Sequence, residues 1–235
     1  MLSSATLVDG LVWYVVFLFS TTCHEAAHAF AAMKLGDLTA YHGGQVTLDP
    51  LPHIRREPIG TVVVPILSFL LGGTMIGWAS APYNPQWALQ YPRRSAIMAL
   101  AGPAANLLLI LFAVILIRGG IALGYFVAPD SLNFEHLTEA VEGGLLEQVA
   151  TFVSVLFTLN LILFALNLIP LPPLDGSGAI PLLLSDNAAR KYMQFVRSSG
   201  LAIIGLIVVF KFFGNLFSGV YSLALRLLYP EFHYE

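Results

Sequence analysis

The chain has 235 residues, of which 57% are hydrophobic and 11% charged, with a net charge of −3 and a mean hydropathy of +0.77. A water-exposed surface needs roughly 25% charged residues, so this composition excludes a soluble enzyme, a disordered tail and a disulfide scaffold, and it predicts an integral membrane protein. Eleven Lys+Arg against fourteen Asp+Glu leave no basic surface for nucleic acid, and a single cysteine, Cys23, excludes an internal disulfide.

The first apolar segment, residues 7–33, is long enough to span a bilayer, which takes about 20 residues at 1.5 Å rise each. No Lys or Arg precedes it. It therefore lacks the positive n-region of a cleavable signal and is expected to stay in the mature protein. At 41–48 (YHGGQVTL) a Gly-Gly turn beside Val and Thr predicts a short β-hairpin. Residues 58–92 are uncharged, yet Pro65, Gly72, Gly73, Gly77, Pro82 and Pro85 punctuate them. A short helix over about 59–71 and an extended return through 77–84 (GWASAPYN) make this a re-entrant segment. Non-helical backbone is tolerated at membrane depth where protein or a water-filled cavity covers it. Uncharged spans at 95–117 and 148–174 follow. Between them, residues 119–147 hold five acids and no Lys or Arg, with an amphipathic surface helix expected near 134–146. Residues 186–197 read as an interfacial helix, and 198–225 as a last span whose single charge is Lys211.

The predicted fold is an all-α polytopic membrane protein with about four transmembrane helices, a re-entrant segment and a short membrane-associated β-hairpin. It forms one domain over 1–235, with a core of about 7–181 and C-terminal interfacial and transmembrane helices over 186–229. Charge placement supports the re-entrant reading. With it, Lys34, Arg55, Arg56, Arg93, Arg94, Arg190, Lys191 and Arg197 share one side, against Arg118 and Arg226 on the other. An ordinary crossing would split the same ten evenly. The basic side is expected in the cytoplasm, with both termini outside.

His24-Glu25-Ala26-Ala27-His28 is an H-E-x-x-H motif. At about 100° per residue the two histidines fall about 40° apart on one helix face and can share a metal. Glu25 stands beside that face, placed to act on a water of the metal rather than to ligate. An ionisable group at this depth points to function; the alternative is an interfacial His/Glu cluster without metal. A catalytic zinc takes three protein ligands. The best third ligand is Asp175, the only carboxylate between Glu147 and Asp186. Three prolines just before it break the helix and free the backbone to turn the carboxylate inward. A lone Asp-Gly is usually a turn; beside H-E-x-x-H in a membrane protein it reads as a ligand.

HEAAH in the first span, Ala101-Gly102-Pro103-Ala104-Ala105-Asn106 in a middle one and NLIPLPPLDG (167–176) ending a later one resemble the site-2 protease family of intramembrane zinc metallopeptidases. The stretches 44–50, 53–61 and 77–85 resemble its compact subgroup, which lacks PDZ or CBS domains. The likeness runs over about 7–181. It implies one zinc ion held by His24, His28 and Asp175, with Glu25 as general base, and it places Asn167 and Pro172 in a loop that contacts substrate. HIRREP at 53–58 is longer and more charged than the subgroup's pattern, and Gly178 replaces a basic residue often found there.

The implied activity is hydrolysis of peptide bonds in or near transmembrane helices of single-span membrane proteins, inside the cell membrane, with the active site toward the cytoplasm. A helical substrate must unwind, and the extended segments near 41–48 and 77–84 offer strand addition. The rivals are a metal transporter using the same ligands and a non-catalytic scaffold of the family. A transporter would place polar groups along a path and show internal repeats; a scaffold would be expected to lose Glu25 or a ligand. His42 and His53 read as solvated loop histidines, Cys23 as packing, and Asn106 with the small residues around Gly102 as close helix packing. Lys211 either snorkels or marks a helix break.

Overall fold

The computed structural model describes residues 4–73, 75–198 and 200–230. Helix α1 (Ser4–Leu35) is a single 32-residue rod, ended by Gly36 in a left-handed conformation (φ 105°). A one-turn helix α2 (Thr39–His42) and a short α3 (Pro50–Arg56) follow. Asp49 caps α3 by accepting from the Leu51 N–H, and Pro50 sits at its first position, where no N–H is required. A π-helical turn (Ile59–Val63) runs into α4 (Val64–Gly72). Extended backbone then leads to Asn84, which caps α5 (Pro85–Gln90). The long α6 (Pro92–Ala122) precedes a two-residue antiparallel pair, β1 (Phe126–Val127) and β2 (Glu139–Ala140). Then come α7 (Leu145–Asn167), a short α8 (Asp175–Ala179) continued by a 3₁₀ turn, α9 (Asp186–Ser198) and α10 (Leu201–Leu228).

Among the described residues, α6, α7 and α10 are long and apolar enough to cross a membrane. The outer faces of α6 and α10 expose Leu108, Ile115, Ile203 and Phe210. An apolar belt of this extent on a monomer marks a membrane or an interface. Inside it, α1, α6 and α7 pack on one another through Trp13, Val16 and Phe17, through Ile110, Ala113 and Ile117, and through Val153, Leu156 and Phe157.

Residues 57–84 double back on themselves. Ser68 Oγ accepts from the Ile76 N–H at 2.9 Å, Trp78 N–H donates to the Gly60 carbonyl at 3.0 Å, and Ser80 Oγ donates to Glu57 Oε1 at 2.6 Å. The extended strand can lie this close to the helix because a β-carbon on Gly77 would overlap the Gly60 carbonyl oxygen. The expected helix is present, and the backbone after it is extended.

Two expectations are corrected. No strand occurs at 41–48: Asp37 Oδ1 accepts from the Thr39 N–H and starts a helical turn, and Gln45 N–H closes it on the Ala40 carbonyl. The strand pair lies instead between α6 and α7. That same loop holds no helix at 134–144. Leu137 there is fully buried, its N–H donating to Ser154 Oγ and its carbonyl accepting from Tyr229 OH, while Trp13 Nε1 donates to Glu135 at 2.6 Å. These contacts fix the loop against the protein, where an amphipathic helix would have lain on lipid.

Four arginines bind at the helix ends. Arg94 reaches the Leu35 carbonyl, Arg190 the Leu89 carbonyl and Arg93 the Asp186 carboxylate at one end, while Arg118 donates to the Leu228 carbonyl at the other. Both chain termini, 1–3 and 231–235, lie outside the described residues.

Candidate metal centre

The histidines of α1 sit one turn apart and face α6 and the start of α8. All of His24, Glu25 and His28 are buried. The prolines at 170, 172 and 173 deny α7 a continuation, and the chain turns so that Asp175 becomes the first residue of α8. The result is a cluster: His24 Nε2 and His28 Nε2 are 3.0 Å apart, and Asp175 Oδ2 lies 3.0 and 3.2 Å from them. Glu25 presents a carboxylate oxygen within 4.8 Å of both histidines.

The hydrogen bonds around this cluster decide where the protons are. His28 Nδ1 lies 2.8 Å from the Met98 carbonyl, which can only accept, so Nδ1 carries the proton. For His24 the argument runs through two amides. Asn160 Nδ2 donates to the Leu156 carbonyl and to Ser20 Oγ, which fixes Asn160 Oδ1 as the acceptor for Asn106 Nδ2 at 2.8 Å. Asn106 Oδ1 is then left to accept from His24 Nδ1 at 2.6 Å. With each Nδ1 proton engaged outward, both rings turn Nε2 inward, toward the Asp175 carboxylate. Three atoms able to ligate converge there, and a cation among them would satisfy all three at once.

The donor set fits zinc. Two imidazoles and a carboxylate are its usual three-ligand arrangement, and bonds of about 2.0–2.1 Å in a tetrahedron separate ligand atoms by roughly 3.3 Å. Gly102 of α6 keeps the space open: a β-carbon there would overlap Nε2 of both histidines. The outer contacts of the rings, a backbone carbonyl and an amide chain, are those expected of metal-binding histidines.

A cleft of about 740 Å³ reaches this cluster, lined by Glu25, His28 and Asp175 at its base. The extended backbone at 79–82 forms one wall and α9 another, with Tyr192 and Met193 facing in. Tyr192 OH donates to the Ser177 carbonyl at 3.1 Å, two residues past Asp175, and burial pushes this phenol above its ordinary range, so it remains a donor. Pro172 lines the cleft; Asn167, at the end of α7, is not among its lining residues.

Sequence reasoning missed several contributors. Asn106, assigned to packing, instead contacts His24, with Asn160 and Ser20 behind it. The signal was available: three polar side chains within otherwise apolar spans. Asp37 is another. It is buried, and its Oδ2 accepts from the Asn84 N–H at 2.7 Å, tying the extended wall to the end of α1. His53, expected in solvent, is buried with Nε2 3.1 Å from the Thr47 carbonyl, whereas His42 is exposed as expected.

Residues 12–211 match the profile described as Peptidase family M50. "Putative zinc metalloprotease YwhC" of Bacillus subtilis (strain 168) is 33% identical over 181 residues, covering 77% of this chain and 72% of that protein. "Putative zinc metalloprotease Rip2" of Mycolicibacterium smegmatis is 29% identical over 192 residues, and its namesake in Mycobacterium tuberculosis (strain H37Rv) 29% over 194. This chain spans 64% of the length of each of these two mycobacterial relatives. No solved structure matches the chain.

Proposed function

The chain belongs to peptidase family M50, the site-2 protease family, and on that premise we propose that it is an intramembrane zinc endopeptidase that cuts transmembrane helices of single-span proteins in or near the membrane. The observation that carries the reading is the convergence of three possible ligand atoms at 3.0–3.2 Å beside the Glu25 carboxylate. In this reading His24, His28 and Asp175 hold the metal and Glu25 is the general base. Zinc, when bound, supplies a Lewis acid for the scissile carbonyl and brings the pKa of its water to about 7.

The chain's own residues do the remaining work. Glu25 Oε takes a proton from the attacking water and returns it to the leaving amine nitrogen, so one carboxylate serves as base and then acid. Asn106 and the Met98 carbonyl hold the two imidazoles in the tautomer that points Nε2 inward. The α1 helix is the fourth membrane crossing, and the hairpin at 57–84 enters and leaves on the basic, cytoplasmic side. A substrate helix has its own carbonyls satisfied and must unwind to be cut. The extended wall at 79–82 offers it a strand to pair with, and Pro172 lines the same cleft.

A metal transporter would use the same three donors. Among the described residues the metal-capable groups form one cluster and no chain of further sites, which favours hydrolysis over transport. The test is metal analysis beside a cleavage assay on tagged single-span substrates in the same preparation. Cleavage by the wild type that disappears in Glu25→Gln supports the protease. Stoichiometric zinc in the wild type with no cleavage of any transmembrane substrate would turn the reading to transporter or scaffold.

A further inference from the structure

The cleft is acidic at its base and basic at its mouth. Arg56, the last residue of α3, and Arg197, in the last turn of α9, both line it. Both are exposed, and among the described residues neither makes an ion pair, although Arg93 does. Arg56 Nε donates to Ser80 Oγ in a long hydrogen bond of 3.4 Å, and Ser80 Oγ donates to Glu57 Oε1 at 2.6 Å. Glu57, the nearest acid in sequence, accepts from Ser80 and makes no ion pair with Arg56, and among the described residues the two terminal guanidinium nitrogens of Arg56 have no hydrogen-bond partner. Ser80 belongs to the extended wall, so this contact places the arginine beside the segment along which a peptide would run. Around it the wall is apolar, with Ala79, Ala81 and Pro82. A guanidinium fork beside an apolar wall recognises a planar carboxylate, which it can bind through two parallel hydrogen bonds.

Resting on the intramembrane-protease reading, we propose that Arg56 and Arg197 form a carboxylate-binding subsite at the cleft mouth, selecting substrates that carry Asp or Glu flanking the segment to be cut. The two side chains approach from different walls, so an acidic residue between them draws α9 and the extended strand onto the same peptide. The subsite sets which substrates bind and in what register; it takes no part in the chemistry at Glu25.

Binding to an inert form tests this without relying on catalysis. Full-length, zinc-loaded Glu25→Gln protein in neutral micelles is titrated with dye-labelled transmembrane peptides in which one Asp, or its isostere Asn, is stepped through the flanking residues. At one flanking position the Asp peptide should bind at least about tenfold tighter than its Asn twin, the scale of a hydrogen-bonded charged group. Arg56→Ala and Arg197→Ala should each shrink that ratio, and the double variant should abolish it, with zinc content unchanged in all. Arg55→Ala, whose side chain does not line the cleft, should leave the ratio intact. Arg56→Glu should transfer the preference to a Lys peptide. Equal binding of Asp and Asn peptides at every position overturns the proposal. So does failure of every peptide to bind, a preference that survives in the double variant, or an arginine effect seen only when anionic lipid is added. Failure of the protease reading would show separately, as wild-type protein that cleaves nothing.

Discussion

Helices α7 and α10 are alike in composition and opposite in use. Both are long and apolar enough to cross a membrane, yet 61% of the most apolar window of α7 is buried in the protein, against 17% for α10. In water such a difference would be written as charge on the exposed helix. In a bilayer the lipid tails are as apolar as leucine, so buried and exposed faces draw on the same residues. The difference shows instead in where the polar side chains point. In α7, Ser154 and Asn160 are fully buried and serve the loop at Leu137 and the amide chain to His24. In α10, Lys211, Asn215, Ser218 and Ser222 are exposed, and the two serines bond only to carbonyls of their own helix. A polar residue that reaches inward identifies a helix that supports the site.

The largest effects should follow from breaking the inner region at the donors themselves. Asp175→Ala is expected to lose both zinc and cleavage, and His28→Ala to match it. Gly102→Val should do the same with every donor intact, because its side chain would fill the space between the two Nε2 atoms. Metal analysis of purified protein decides; a Gly102→Val protein with full zinc would mean that the inter-histidine space is not where the metal sits. In the wild type, a chelator should abolish cleavage and added zinc should restore it.

Next in size is Glu25→Gln. The change removes a proton acceptor but none of the three converging donors. Zinc should stay near stoichiometric while cleavage falls by at least roughly 10²–10⁴-fold, the usual worth of a general base. Loss of zinc together with activity would make Glu25 a ligand and undo the division of labour between it and Asp175.

The donors were legible in the sequence because their chemistry is written in local spacing and in rarity. His24 and His28 lie one helical turn apart, and Asp175 is the lone carboxylate in a long uncharged stretch. The helix and extended return at 58–84 were legible from glycine and proline. What could not be read was anything fixed by tertiary hydrogen bonds. Residues 41–48 have the turn chemistry of a hairpin, but Asp37, upstream, claims them for a helical turn. Residues 134–146 have an amphipathic pattern, but the Leu137 backbone bonds Ser154 and Tyr229 and the Glu135 carboxylate accepts from Trp13, which holds the segment as a loop on the protein. Asn106 was visible as a residue, but its partner is 82 positions away, beyond any periodicity.

The amide chain gives a graded test of the inner helices. Asn106→Ala removes the acceptor that holds the Nδ1–H of His24, and loss of such an outer contact typically costs about 10–100-fold in metal affinity. Asn160→Ala acts one step further out and should cost less, since Asn106 could still accept from His24 in a looser orientation. Competition with a zinc chelator of known affinity would rank the two. Equal losses would show the chain behaving as one unit; no loss in either would make the network merely structural.

The smallest effect should come from α10, and it is the sharpest test of the contrast between the two helices. Asn160→Leu and Asn215→Leu make the same chemical change in two apolar helices. At 160 the change leaves Asn106 Nδ2 and Ser20 Oγ without their partner in a fully buried place, where an unsatisfied polar group costs about 1–3 kcal/mol. At 215 the side chain is exposed, and replacing it with leucine should shift stability by no more than about 0.5 kcal/mol, as for surface sites generally. Lys211→Leu should be equally mild, its contact among the described residues being the neighbouring Phe212 ring. Thermal unfolding in a single detergent, read beside zinc content, would compare all three. Should Asn215→Leu or Lys211→Leu destabilise the protein as much as Asn160→Leu, then α10 has a polar partner, and its exposed face is an interface rather than a surface for lipid.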